Sequence, residues 1–515
     1  MSEIIDSSLK RAAKGTTLVL ASIASSQLLW FFIKILIVRN TTKVEFGLYS
    51  LTLTVLSVIS SIILLGIPSG LSRFVSVYLA EDRREEAHYI SRAGLQMLLP
   101  VGLASFAALY LCAGFIARRV FFTPELEILL KIVSFQIPFV VAAGVAGGVL
   151  LGYGIIRQKI LTDVINPISY LILVFAAIVF GMHLNGILYA YVLSGGVISV
   201  MVVFYGFRKL GSQPFLPTGG KRHMELMKFS VPLLASTIMS MMLMWADTLM
   251  IGRYDTPAAV GIYGVSISLV KLLLFPLTSL SYVFLPVAGE IYAKKKTGEL
   301  KRVYQVLTKW AFVATLPIFF VLFFFPEMTI NLLFGSRFVD ASLSLRILAV
   351  GFLVNAFLGT NGLLLTVLGL TKTIMNISIV GAILNVILNY VLIKHLGMGI
   401  TGAALATMTS YIVINFLYSV SLLRHGRVHP FTPAYLRPIA GAVITGLAIY
   451  IMAKSITLAF WMLPLYFVLF IAGYAASLLI TKSIEREDIF IFQEVMKKLG
   501  LEGAGAVGFL NRFVR

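Results

Sequence analysis

The chain has 515 residues, 59% of them hydrophobic and only 12% charged, with a mean hydropathy of +0.95. A water-soluble domain of this size needs far more charge on its surface, which sets aside a large soluble helical core. The net charge of +20 would suggest nucleic acid, but the cations fall in short loops between apolar runs and in the tail, where membrane orientation and anionic lipid account for them.

An apolar run of about 20 residues crosses a bilayer at 1.5 Å per residue. Fourteen spans are expected, at roughly 16–38, 47–70, 90–112, 127–152, 160–180, 186–207, 227–251, 260–287, 304–325, 341–369, 373–393, 401–423, 436–456 and 462–481. The first follows Lys10, Arg11 and Lys14, as in a signal peptide. It is too long for an h-region and lacks a small-residue cleavage site, so it reads as a retained span. The second ends in Gly66-Ile67-Pro68-Ser69-Gly70 before Arg73. Gly66, Pro68 and Gly70 should bend or loosen that helix as a hinge. In the fourth, Gly144, Gly148 and Gly152 recur every four residues and leave one face bare for packing. No strand precedes these glycines and no Lys-Ser/Thr follows, which excludes a phosphate loop. A turn-rich linker with Pro214, Pro217, Gly219 and Gly220 separates the sixth and seventh spans. After Lys482, the tail places Phe492, Val495, Met496 and Leu499 on one side, as a surface-lying amphipathic helix would.

The unit of six spans occurs twice. Gly47-Leu48-Tyr49 returns as Gly261-Ile262-Tyr263 and Arg39 as Arg253, each 214 residues later, while Gly181-Met182 returns as Gly397-Met398. An even number of spans per copy makes the copies parallel repeats, related by an axis along the membrane normal. The expected fold is therefore an all-α polytopic membrane protein with 14 transmembrane helices. Residues 1–212 form an N-lobe, 213–430 a C-lobe, 431–482 two extra spans, and 483–515 a cytoplasmic tail. Lys and Arg show a roughly threefold excess on the side holding both termini, which places that side in the cytoplasm.

Charges inside the apolar layer each cost about 2.5–3.5 kcal/mol on insertion scales, so they tend to face a bundle interior or a wet cavity. Lys271, midway along the eighth span, is too deep to snorkel easily and is the first candidate for a cavity lining. Lys34 in the first span and Asp247 in the seventh fall at nearly equivalent depths of the two copies, and could meet to close an outer mouth. Snorkelling to the interface accounts for Lys34 equally well. Arg39 and Arg253 are repeat-matched at span ends, where interfacial anchoring competes with a substrate role. Arg73 and Arg346 complete the basic candidates. Asp247 and Asp163 are the carboxylates placed to gate or to couple an ion. Gln27, Asn355, Asn361, Asn385 and Asn389 could bond polar cargo or simply neighbouring helices.

Other chemistry finds no support. The single Cys112 allows no intramolecular disulfide. His425 and His429 have helical spacing but no third ligand, so no metal is expected. There is no Walker loop, no His-Glu-x-x-His and no nucleophile elbow, so neither enzyme activity nor a cofactor is expected.

Lys14-Gly15 before the first span, Glu45-Phe46-Gly47-Leu48-Tyr49 opening the second, and Gly66-Ile67-Pro68 through Arg73-Phe74 closing it resemble the polysaccharide and lipid-linked oligosaccharide flippases. These belong to the multidrug/oligosaccharidyl-lipid/polysaccharide superfamily, and the resemblance covers essentially the whole chain. It implies alternating access about a central cationic cavity. Cargo would be a polyprenyl-(pyro)phosphate-linked oligosaccharide, moved from the cytoplasmic to the outer leaflet of the plasma membrane for cell-surface polysaccharide or glycoprotein assembly. Implied partners are the lipid-linked glycan, membrane lipids and polysaccharide-assembly enzymes; a monomer is expected and nucleic acid is not. The alternatives are an ion-coupled (H+ or Na+) multidrug exporter of the same superfamily, for which Asp247 would serve, and a non-transporting scaffold.

Overall fold

The structure is a computed structural model that describes Ser22, residues 25–210, 220–426, 428–431, 435–455 and 460–481, and Ser483. The expected linker turn at Pro214 and Pro217 and the amphipathic tail lie outside the described residues. All regular structure among the described residues is helical. Eleven helical segments there are long and apolar enough to cross a membrane, and Leu436–Met452 is a shorter apolar helix.

By packing, the chain forms two compact units. The N-terminal unit runs from Ser22 to Gly264 and takes in Asn389–Ile400. It holds α1 (25–39), α2 (Lys43–Ile63), α3 (Ile67–Ala80), α4 (Arg84–Phe115), α5 (Leu126–Ser134), α6 (Gln136–Gly152), α7 (Ile156–Val179), α8 (His183–Leu210), α9 (Gly220–Tyr254) and the first half of α10 (Pro257–Val270). The C-terminal unit, Val265–Leu388 and the described residues from Thr401 on, holds the rest of α10. It continues with α11 (Leu274–Ala293), α12 (Thr297–Phe324), α13 (Pro326–Phe334), α14 (Ser342–Leu358), α15 (Asn361–Val367) and α16 (Thr371–Asn389), then α17 (Gly399–Gly426), α18 (Leu436–Ser455) and α19 (Leu463–Ile480). The packing boundary thus falls after Gly264, one and a half helices beyond the linker.

Local sequence explains where the second span begins and bends. Thr42 and Glu45 form a capping box: Thr42 Oγ1 accepts from the Glu45 amide at 3.2 Å, and the Glu45 carboxylate accepts from the Thr42 amide at 2.8 Å. Two otherwise orphaned donors are satisfied this way. The helix then stops at Ile63, Leu65 and Gly66 take positive φ values of 50° and 72°, and α3 restarts with Pro68 in its first turn. Proline fits there because that amide has no helical partner anyway.

The glycine stripe of α6 lies against α3, as its spacing predicts. A Cβ on Gly148 would come within 2.5 Å of the Pro68 carbonyl oxygen, and one on Gly152 within 2.6 Å of Val75 Cβ. Only bare backbone permits this approach. In the C-terminal unit, aromatic packing anchors α19 and α18 on α12: Phe320 and Phe470 stack with centroids 4.0 Å apart, Phe325 just after α12 stacks on Tyr466, and Phe324 packs on Tyr450. Such pairs contribute about 0.5–1.5 kcal/mol beyond the area they bury.

Candidate functional site

Asp247, singled out as the carboxylate within a span, is 4% exposed in the N-terminal unit. Its two oxygens are held by different helices. The Tyr263 hydroxyl of α10 donates to Oδ2 at 2.5 Å, and the Asn389 side-chain amide at the end of α16 donates to Oδ1 at 2.7 Å. Both partners are themselves buried, at 1% and 0% exposure. Charge-assisted bonds of this length are about twice as strong as neutral ones, and they offset part of the desolvation of a buried carboxylate. The site is thus a buried carboxylate whose two oxygens are oriented by donors from two other helices.

The repeat supplies a built-in comparison. Tyr49 is the counterpart of Tyr263, but its hydroxyl lies 3.1 Å from that of Tyr170 on α7. The same position thus carries a neutral tyrosine pair in one copy and a carboxylate in the other.

Just beyond these tyrosines, α2 and α10 cross on their glycines. The backbone amides of Gly47 and Gly261 each lie 3.0 Å from where a Cβ on the other would sit. A Cβ on Gly47 would strike the Pro257 carbonyl, and one on Gly261 the Lys43 carbonyl.

The basic candidates are spread over both units. In the N-terminal unit, Lys34 is half-buried on α1 and Arg39 is exposed at the end of that helix. Arg73 is exposed on α3, with its guanidinium 4.5 Å from the centroid of Phe229 on α9. Close by, the Tyr78 hydroxyl donates to Glu225 at 2.6 Å, so α3 and α9 are tied twice. Arg253 is half-buried, its guanidinium 4.2 Å from the centroid of Phe122. In the C-terminal unit, Lys271 is exposed and opens a 3₁₀ turn, Lys271–Leu273, that interrupts the eighth span. Pro276 explains the interruption, because its ring excludes the carbonyl four residues earlier from the α-helical ladder. Arg346 is engaged locally: it donates to the Phe323 carbonyl at 3.1 Å and pairs with Glu327 at 3.0 Å.

Asp163 and Pro68, the latter expected to act as a hinge, line one cavity. A cavity of about 520 Å³ in the N-terminal unit is lined by Pro68, Ser69, Ser72, Asp163 and Asn166, with the α6 glycines opposite. Gly144 and Gly148 of that wall are needed for packing on α3, whereas a Cβ on Gly147 would meet nothing within 4 Å. Gly147 therefore keeps the space open.

Tyr263 was legible only through the repeat, and Asn389 only as one polar group among several. Their convergence on Asp247 depends on α9, α10 and the end of α16 packing together, which no local pattern encodes.

The polysaccharide biosynthesis protein family matches residues 36–343 of the chain. An uncharacterized membrane protein of Methanocaldococcus jannaschii, MJ1068, is 22% identical over 82% of this chain and 86% of its own length. The probable low-salt glycan biosynthesis flippase Agl15 of Haloferax volcanii is 25% identical over 46% of this chain and 49% of its own. Among solved structures, the lipid II flippase MurJ in an inward closed conformation superposes with a TM-score of 0.75 at 17% identity. That alignment covers 90% of this chain and 98% of MurJ, and at such identity it speaks for the fold alone. With well over half of its length matched, the chain belongs to the polysaccharide biosynthesis protein family of multi-pass membrane proteins.

Proposed function

We propose that this protein is a flippase that moves a polyprenyl-(pyro)phosphate-linked oligosaccharide from the cytoplasmic to the outer leaflet. The observation that carries the reading is the family match over residues 36–343; the flippase assignment of Agl15 supports it, and the fold shared with MurJ accords with it. The mechanism is alternating access of two parallel six-span repeats within a set of fourteen spans, both termini being cytoplasmic. The cargo's head group is anionic, and Lys34, Arg39, Arg73, Arg253, Arg346 and Lys271 are the cations proposed to attract it. Such attraction is much stronger in a low-dielectric cleft than in bulk water. The lipid tail stays in hydrocarbon, so only the head group needs a polar path. The bend at Gly66, Pro68 and Gly70 is the proposed hinge. The protein acts as a monomer in the plasma membrane, alongside polysaccharide-assembly enzymes.

One observation favours a second reading. The buried Asp247 carboxylate, with Tyr263 and Asn389 on it, suits an ion-coupled exporter of cationic drugs; in a flippase the same group would couple a proton or sodium ion to transport. Reconstitution separates the two. Proteoliposomes holding a defined lipid-linked oligosaccharide should expose it to an outer-leaflet probe only when the protein is present. Efflux of a cationic dye without any glycan movement would replace the flippase by the exporter.

A further inference from the structure

The tenth span is broken inside the C-terminal unit. α14 ends at Leu358 and α15 begins at Asn361, and the two residues between them are buried. Gly359 takes φ 71° and ψ −144°, a conformation open to glycine and strained for other residues. A Cβ there would strike Thr308 of α12. Non-helical backbone at membrane depth is tolerated where it is buried in protein or lines a site. One freed carbonyl, that of Leu358, accepts from the Tyr304 hydroxyl at 3.1 Å.

Three hydroxyl oxygens around this break have no hydrogen-bond partner although they are fully buried: those of Thr308, Thr360 and Tyr435. Each departs from what its position predicts. Thr308 sits in mid-helix, where threonines bond the carbonyl four residues back, as Thr315 on the same helix does to Ala311 at 2.7 Å. Thr360 is the N-cap of α15, a position at which threonine normally accepts from an amide of the first turn, yet its side chain makes no such bond. Tyr435 packs edge-to-face on Phe357 with centroids 5.9 Å apart, next to the broken segment. Buried polar groups are nearly always satisfied, so a cluster of exceptions points to something that satisfies them.

The available atoms are hydroxyl oxygens together with the carbonyls at the C-terminal, negative end of α14. These are neutral, hard oxygen donors. Among the described residues no three His, Cys, Asp or Glu converge anywhere to hold a metal, so a divalent charge would go uncompensated here. The negative end of a broken helix suits a small monovalent cation.

We propose that the break at Gly359–Thr360 binds one sodium ion, through Thr308 Oγ1, Thr360 Oγ1 and the C-terminal carbonyls of α14, with the Tyr435 hydroxyl beside it. This site holds whatever the cargo is, and it is distinct from the carboxylate of Asp247. The test is thermal unfolding of the purified full-length protein in detergent, titrated with sodium, potassium or N-methylglucamine chloride at constant ionic strength. Sodium alone should raise the midpoint, saturably. Thr308→Val keeps the side-chain shape without the hydroxyl and should raise the half-saturating sodium concentration at least tenfold; Thr308→Ser should leave it unchanged. A wild-type protein indifferent to sodium, or equally responsive to potassium, overturns the site. So does a sodium response that survives Thr308→Val, since the ion then sits elsewhere. If the midpoint ignores sodium and Thr308→Val is simply more stable, the hydroxyls are packing defects and the inference fails.

Discussion

Gly47 and Gly261, 214 positions apart in the sequence and equivalent in the repeat, lie against each other, each facing the backbone of the other's helix. The contact is reciprocal: Gly47 faces the Pro257 carbonyl, and Gly261 faces that of Lys43, itself the repeat partner of Pro257. Gly47→Ala and Gly261→Ala should each push α2 and α10 apart. Overpacking of this kind costs about 1–3 kcal/mol. The two single variants should lower the unfolding midpoint by similar amounts. The double variant should cost clearly less than their sum, because one displacement relieves both clashes. Strict additivity in a detergent melt would show that the crossing is not shared.

Removal of Asp247 has separable consequences. Asp247→Ala leaves the Tyr263 hydroxyl and the Asn389 amide buried without their acceptor, at about 1–3 kcal/mol for each group. Tyr263→Phe removes one donor and should cost about 1 kcal/mol. Asp247→Asn keeps the shape and removes the charge. Its stability should fall less than that of the alanine variant, while ion-driven transport in proteoliposomes should be lost. Full transport by Asp247→Asn would exclude the carboxylate from coupling.

Ser230 on α9 is fully buried, and its hydroxyl has no hydrogen-bond partner. It is the nearest neighbour of Gly70 on α3, where an added Cβ would lie 2.7 Å from Ser230 Oγ and 2.9 Å from Leu226 Cδ1. An unsatisfied buried hydroxyl weakens this α3–α9 contact. Ser230→Ala should stabilise the protein by about 1 kcal/mol, and slow transport if this contact must separate in each cycle. Gly70→Ala should be destabilising alone and milder in the Ser230→Ala background. Measured midpoints for the four proteins decide it.

The long spans, the bend at Gly66–Pro68 and the packing face at Gly144, Gly148 and Gly152 were legible because each is written in local composition or spacing. The break at Gly359–Thr360 was not, since hydropathy averages over two residues within a long apolar run and reads 341–369 as continuous. Nor was the attachment of α9 to the N-terminal unit: the linker ends the repeat, but Phe229, Ser230 and Glu225 pack on α3 regardless. Arg346 illustrates the limit for single charges. From sequence it is a cation within a span, and only the fold shows Glu327 of α13 beside it. Asp247 could be picked out by its depth, but its two donors depend on tertiary packing.

Lys271 carries the sharpest prediction for the cargo pathway. A cation at that depth costs about 2.5–3.5 kcal/mol on insertion scales, and its 3₁₀ turn forgoes regular helical hydrogen bonds. Lys271→Met retains the length and apolar stem of the side chain and discards the charge. It should leave the protein as stable as the wild type or more so, while outer-leaflet appearance of a lipid-linked pyrophosphate glycan falls by about tenfold or more. Lys271→Arg should recover most of the rate, since the attraction is to charge. The opposite signs matter, because a purely structural lysine would lose stability and transport together. Flipping by Lys271→Met at the wild-type rate, with equal protein in the liposomes, removes this residue from the path of the anionic head group.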